Sequence, residues 1–279
     1  MPDCNPDLLS KPKPVHPQFN DPETDVIFQS TDGILFYLQR KYLEATTGAF
    51  PGAEFDTNGE ITHLTESAAV LAILFGFVVP KKYPEIEDLE FALLSEVAEA
   101  AEKYEAFAAM EVCRLQLRRF LPKHAREILT HATKHDGTRL IKETIPHLGR
   151  QPLTTVSSML PARYVVPWVL YRSTFEDIFS SALTAALELK VSSPTNSIRQ
   201  IHYFTKSLGT EVCHSCLVLI IKSLEELRLL ESIQELNEGL EKKKISPRSC
   251  MSTACQYPSA TEKIYQDMKG KISELKFEI

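Results

Sequence analysis

The chain has 279 residues, 43% of them hydrophobic and 24% charged, with a net charge of -6 and a pI near 5.8. That length suits roughly two domains with real cores, and the composition excludes a chain disordered throughout. The acidic balance speaks against a nucleic-acid binder, which would carry a basic face to neutralise phosphates. No run approaches the roughly 18 unbroken apolar residues of a membrane span, and the first 17 residues lack the apolar core of a secretory signal.

Six cysteines in a chain this long, without the spacing of a small disulfide scaffold, are expected as reduced thiols in a cytoplasmic or nuclear protein. Residues 1–22 hold Pro2, Pro6, Pro12, Pro14, Pro17 and Pro22 and little apolar surface, so a disordered, extended tail is expected, with order beginning at Asp25. Val26 to Gln29 and Ile34 to Gln39 flank Asp32-Gly33, a tight-turn dipeptide, and predict a β-hairpin. Residues 60–64 predict a third strand, closed by Thr65 as a helix N-cap with Glu66 in the first turn. Leu71, Leu74, Phe75 and Val78 follow at the spacing of a buried helix face, which Pro80 ends.

From about Asp88 one helical face carries Leu93, Val97, Ala100, Ala101 and Tyr104, and a second carries Met110, Cys113, Leu117, Phe120 and Leu121, with a break between Glu105 and Ala109. Beyond Pro122 the pattern is all-helical. Ala125, Ile128, Leu129 and Ala132 make one stripe, Asp136-Gly137 a turn, and Leu140, Ile141, Thr144 and Ile145 a second helix. Residues 149–158 read as a polar linker, and Pro167 as the opening of an aromatic helix bearing Trp168, Tyr171, Phe175 and Phe179. Residues 213–240 contain no proline and no glycine before Gly239, and Leu217, Ile220, Leu224, Leu227, Leu230 and Ile233 predict one long amphipathic helix.

The elements over residues 25–122 resemble a BTB (POZ) domain. Asp25-Val26-Ile27-Phe28 with Asp32-Gly33 and Phe36 is similar to the opening strands of that family, although Gln39 stands about where a histidine is usual. Phe75-Gly76-Phe77-Val78-Val79, and Ala98-Glu99-Ala100-Ala101-Glu102-Lys103-Tyr104 followed by Cys113, resemble its later motifs. Residues 123–150 are similar to the BACK-like helical pair that often follows such a domain, and the whole chain resembles BTB proteins of basidiomycete fungi. The resemblance implies an α+β, mostly α, architecture: a Pro-rich tail over 1–22, a short sheet flanked by helices over 23–122, the helical pair over 123–150, and an all-helical region over 151–279. It implies a non-enzymatic interaction scaffold that binds other proteins or dimerises without exchanging an N-terminal strand. The alternatives are a substrate adaptor of a cullin-RING ubiquitin ligase, or a transcriptional co-regulator.

No short catalytic or phosphate-binding glycine motif occurs, and no catalytic residue or cofactor is expected. Adjacent His135 and Asp136 point in different directions from a helix end and are not paired as a catalytic couple. For the adaptor role the family's cullin-contact motif, a hydrophobic residue, any residue, then an acidic one, falls on Leu94-Ser95-Glu96; the alternative is that Leu94 packs in the core and Glu96 is solvated. Lys242-Lys243-Lys244 with Arg248 could serve nuclear import or complement a helix C-terminus. Cys213-x-x-Cys216 and Cys250-x4-Cys255 resemble the paired thiolates of a structural zinc site. An unbroken helix between them would hold the pairs about 35 Å apart, so no metal is expected there.

Overall fold

In the computed structural model the residues described are 13–21, 23–50, 60–121, 123–149, 151–192, 211–230, 232–242 and 255–278. The chain divides into two compact units, Met1–Phe120 and Leu121–Ile279. The architecture is α+β and mostly helical. The helical pair after residue 122 belongs with the C-terminal unit.

In the first unit β1 (Val26–Gln29) and β2 (Leu35–Leu38) form the anticipated hairpin, with Phe28 opposite Phe36. Gly33 sits at a φ of 85°, a left-handed conformation that glycine adopts without cost. After α1 (Arg40–Thr46), β3 (Ile61–His63) joins β1 in parallel, giving a sheet in the order β2-β1-β3. Three helices follow: α2 (Ala68–Val78), α3 (Phe91–Lys103) and α4 (Phe107–Leu117). The N-cap of α2 is Ser67, whose hydroxyl accepts from the Val70 N–H, rather than Thr65. The Asp32 carboxylate of the hairpin turn accepts the neighbouring orphan N–H, that of Ala68, at 2.8 Å.

Leu71, Leu74, Phe75 and Val78 are buried as their spacing predicts, and Val70 and Phe77 join them. The Phe75 ring lies 5.4 Å from Phe28, 5.5 Å from Phe36 and 6.1 Å from Phe19. On α3 the residue in the core is Leu94 rather than Leu93, with Val97, Ala98, Ala100 and Ala101. The turn to α4 passes through Glu105 at a φ of 50°, within the predicted break.

The reading of residues 1–22 as a disordered tail is corrected for residues 13–21. Residues 14–19 run along the free edge of β2: Leu35 N–H donates to the Pro14 carbonyl, His16 N–H to the Leu35 carbonyl and Tyr37 N–H to the Phe19 carbonyl. Pro14 and Pro17 are tolerated because the three bonds use no proline donor; Pro14 and Phe19 supply carbonyls and His16 the amide. Phe19 is buried, and His16 stacks on Phe36 at 4.9 Å. Both Leu35 and Phe36 are buried where strict alternation predicts only one.

The second unit begins with α5 (Ala125–Lys134) and α6 (Thr138–Thr144), whose predicted stripes are buried. Asp136 takes a φ of 53° in the turn between them. The expected linker is in part a helix, α7 (Leu153–Met159). The 26-residue α8 (Ala162–Leu187) opens five residues before Pro167, so the reading of Pro167 as its opening is corrected: the proline stands inside the helix and removes the bond its N–H would make to the Arg163 carbonyl. Trp168, Tyr171, Phe175 and Phe179 are all buried.

The region after residue 151 is not all-helical: β4 (Lys190–Ser192) pairs in parallel with β5 (Glu211–Cys213). The single long helix is also corrected. It is two, α9 (His214–Arg228) and α10 (Ile233–Lys242), and α11 (Tyr257–Glu274) follows. Ser232-Ile233-Gln234-Glu235 has the capping-box spacing, and the Ser232 hydroxyl accepts from the Glu235 N–H at 3.1 Å, which starts a new helix without proline or glycine. A Cβ added to Gly239 would lie 2.8 Å from Leu230 and 2.9 Å from Leu227, so this glycine lets α10 fold back closely on the end of α9. α11 buries Ala260, Ile264, Met268 and Ile272, one residue every four, against a core that includes Phe175, Ile178, Phe179, Ile220 and Leu224.

Candidate functional sites

Three places in the molecule carry the chemistry that the sequence singles out. The first is the end of α3. Glu66, just before α2, accepts from Lys103 Nζ at 2.8 Å, Tyr104 Oη at 2.6 Å and Thr65 Oγ1 at 2.9 Å. The Tyr104 ring stacks on Phe50 at 4.8 Å. Burial by itself pushes the Glu66 carboxyl up, but those three hydrogen bonds and the Lys103 charge together hold it below the ordinary carboxylate value. The knot ties the start of α2 to the end of α3, a structural role for Lys103 and Tyr104.

A depressed folded-state value means that the ionised carboxylate stabilises the fold above the usual carboxylate range, and that this contribution fades as the pH falls through the folded value. Glu66→Gln is therefore expected to lower stability by about 1 kcal/mol at neutral pH, discounted for the partly exposed Lys103. The difference between variant and wild type should vanish in acid. Urea melts across the acid range read this directly, and a deficit that persisted at the lowest pH would assign the effect to shape and not to charge.

The second place is Leu94-Ser95-Glu96. Leu94 is 0% exposed and Glu96 lies on the solvent side of α3. The apolar residue of this triple is thus packed in the core beside a solvated glutamate, the second of the two readings that the sequence leaves open. Apolar surface is offered elsewhere. Phe107 is 53% and Leu115 48% exposed on α4, and Val166 and Leu170 lie exposed one turn apart on α8.

The third is the cysteine set. Because α9 and α10 are separate, the chain returns on itself, and the Sγ atoms of Cys213, Cys216 and Cys255 all lie within 4.8 Å of one another. Cys213 ends β5 and is the N-cap of α9, and Cys216 is in the first turn of that helix and buried. The Cys213 N–H donates to Cys255 Sγ at 3.3 Å, and the Gln256 N–H donates to the Glu211 carbonyl at 2.8 Å, which holds residue 255 against the start of α9. The expected separation of the cysteine pairs fails for these three, because the helix meant to space them is broken. Cys250, Lys243, Lys244 and Arg248 lie outside the described residues. Cys113 is unlike these three: burial, with a smaller contribution from the Glu102 charge, pushes its thiol up to about 12, and it packs in α4 as an inert apolar side chain.

His135 and Asp136 form no couple with each other: Asp136 pairs with Arg163. Among the described residues no helix is long and apolar enough to cross a membrane. No protein-family model matches the chain, and no curated protein matches its sequence.

Proposed function

We propose that the chain is a protein-interaction scaffold whose N-terminal unit is a BTB-like domain. The observation that carries this reading is the topology of that unit, a hairpin, a helix, a third strand added in parallel beside β1, and then helices α2, α3 and α4. It is supported by the knot at Glu66, because two of its four members, Lys103 and Tyr104, belong to the stretch on which the resemblance rests. Phe107 and Leu115 are exposed on α4 on either side of the charged Glu111, and large apolar side chains at an interface are what exclude water from its centre.

The partners are other proteins, a second copy of the chain among them. A cullin-adaptor role would need an apolar contact other than Leu94, so the scaffold reading is preferred. Residues 14–19 pair with β2 of their own chain, which leaves a dimer to rest on side-chain packing and not on an exchanged strand. Multi-angle light scattering of the full chain at tens of micromolar is expected to give about twice the 31.5 kDa of the monomer. A monomer at every concentration would remove self-association from this account.

A further inference from the structure

We propose that Cys213, Cys216 and Cys255 bind a zinc ion, a site separate from the interaction surface and independent of the reading given for it. Two sulfurs on a tetrahedral zinc, each at about 2.3 Å, stand about 3.8 Å apart. The three Sγ atoms here already lie within 4.8 Å of one another, so closing on an ion asks each side chain for a movement of less than about 1 Å.

The surroundings place a helix N-terminus and a backbone donor beside the sulfurs. Cys213 caps α9 and Cys216 lies in its first turn, where the unsatisfied N–H groups and the helix dipole stabilise negative charge. The Cys213 N–H donates to Cys255 Sγ at 3.3 Å, which ties two of the three ligands together. Soft sulfur ligands select zinc among the abundant divalent ions. A disulfide would use two of the three sulfurs and leave the third crowded against it; one cation uses all three.

Binding is a simple exchange. Three S–H bonds release their protons to solvent, three S–Zn bonds form, and no electron is transferred. The described ligands occupy three positions of the tetrahedron, and the fourth is left to water or an added ligand. Cys213 and Cys255 are partly exposed, which gives the ion a way in, while Cys216 forms the buried floor. The ion would fasten the end of β5 and the first turn of α9 to the residues that lead into α11, fixing the return of the chain that the α9–α10 break permits.

The test uses the reduced full-length protein, one equivalent of zinc chloride and gel filtration before elemental analysis. About one zinc per chain should be retained. Cys213→Ser, Cys216→Ser and Cys255→Ser should each weaken binding by at least about 100-fold, the upper end of what losing an outer-shell partner costs. Cys255→His, which supplies another zinc ligand, should keep it, and Cys113→Ser should bind as wild type does. Because a serine variant could fail to fold, cobalt is added to the wild-type chain as a second measurement. Tetrahedral visible bands with a sulfur-to-metal charge-transfer band are expected. Three results would overturn the proposal: no retained zinc with no such bands, zinc retained equally by all three serine variants, or a disulfide among these cysteines in protein isolated without reductant, seen as a loss of two hydrogens in mass.

Discussion

Replacing Phe75 by alanine is expected to destabilise the N-terminal unit by about 3–5 kcal/mol. Phe75 is fully buried on α2 and lies ring to ring with Phe19, Phe28 and Phe36. Those partners come from three separate pieces of chain: the edge segment before the hairpin, β1 and β2. Removing the ring opens a cavity that no one of them can fill without leaving its own hydrogen bonds, so little relaxation is available to offset the cost. Calorimetry should show a melting transition lowered by roughly 4–8 °C for each kcal/mol lost, as for a unit of about this size. A transition that stayed in place would mean that the α2 face is not core and that the topology assigned to this unit is wrong.

The second large effect is expected at Trp168, the only tryptophan of the chain. It is 0% exposed on α8, under the Arg172 guanidinium, which lies 5.6 Å from its ring and donates to the Gln151 carbonyl at 2.9 Å. Trp168→Ala should cost about 3–5 kcal/mol through the cavity alone, with a smaller added loss from the cation over the ring. Trp168→Phe, which keeps an aromatic face under Arg172, should cost markedly less. Denaturant melts followed by circular dichroism distinguish the pair. Equal losses for both variants would place the stabilising contact in the indole and not in the filled volume.

The hairpin, the third strand and the buried face of α2 were legible in the sequence because each is written locally, in a turn dipeptide or a periodicity of two or 3.6. The C-terminal unit was misread at Pro167, which lies inside a helix that begins at Ala162, and where neither proline nor glycine marks a break. The break between α9 and α10 is signalled only by Ser232 and Glu235, a capping box embedded in leucines that continue the helical spacing across it. Missing that break hid the convergence of Cys213 and Cys216 with Cys255, a contact between residues about 40 positions apart that no local pattern specifies. α11 was within reach of the sequence, since Ala260, Ile264, Met268 and Ile272 recur every four residues behind Pro258 in its first turn. The edge segment at residues 14–19 was obscured by a sound rule applied too widely: proline cannot donate, yet a strand edge also needs carbonyls, and Pro14 supplies one.

The interaction reading is tested most directly by quantitative affinity capture of the full-length chain from its own cells, with wild type beside a Phe107→Asp/Leu115→Asp variant. Both substituted side chains are exposed, so the variant should melt as wild type does. A scaffold that binds through the α4 side of the N-terminal unit should recover a defined set of proteins in near-stoichiometric amounts with wild type and lose most of it with the variant. Recovery of the same set by both, or of nothing above background by wild type, would contradict it.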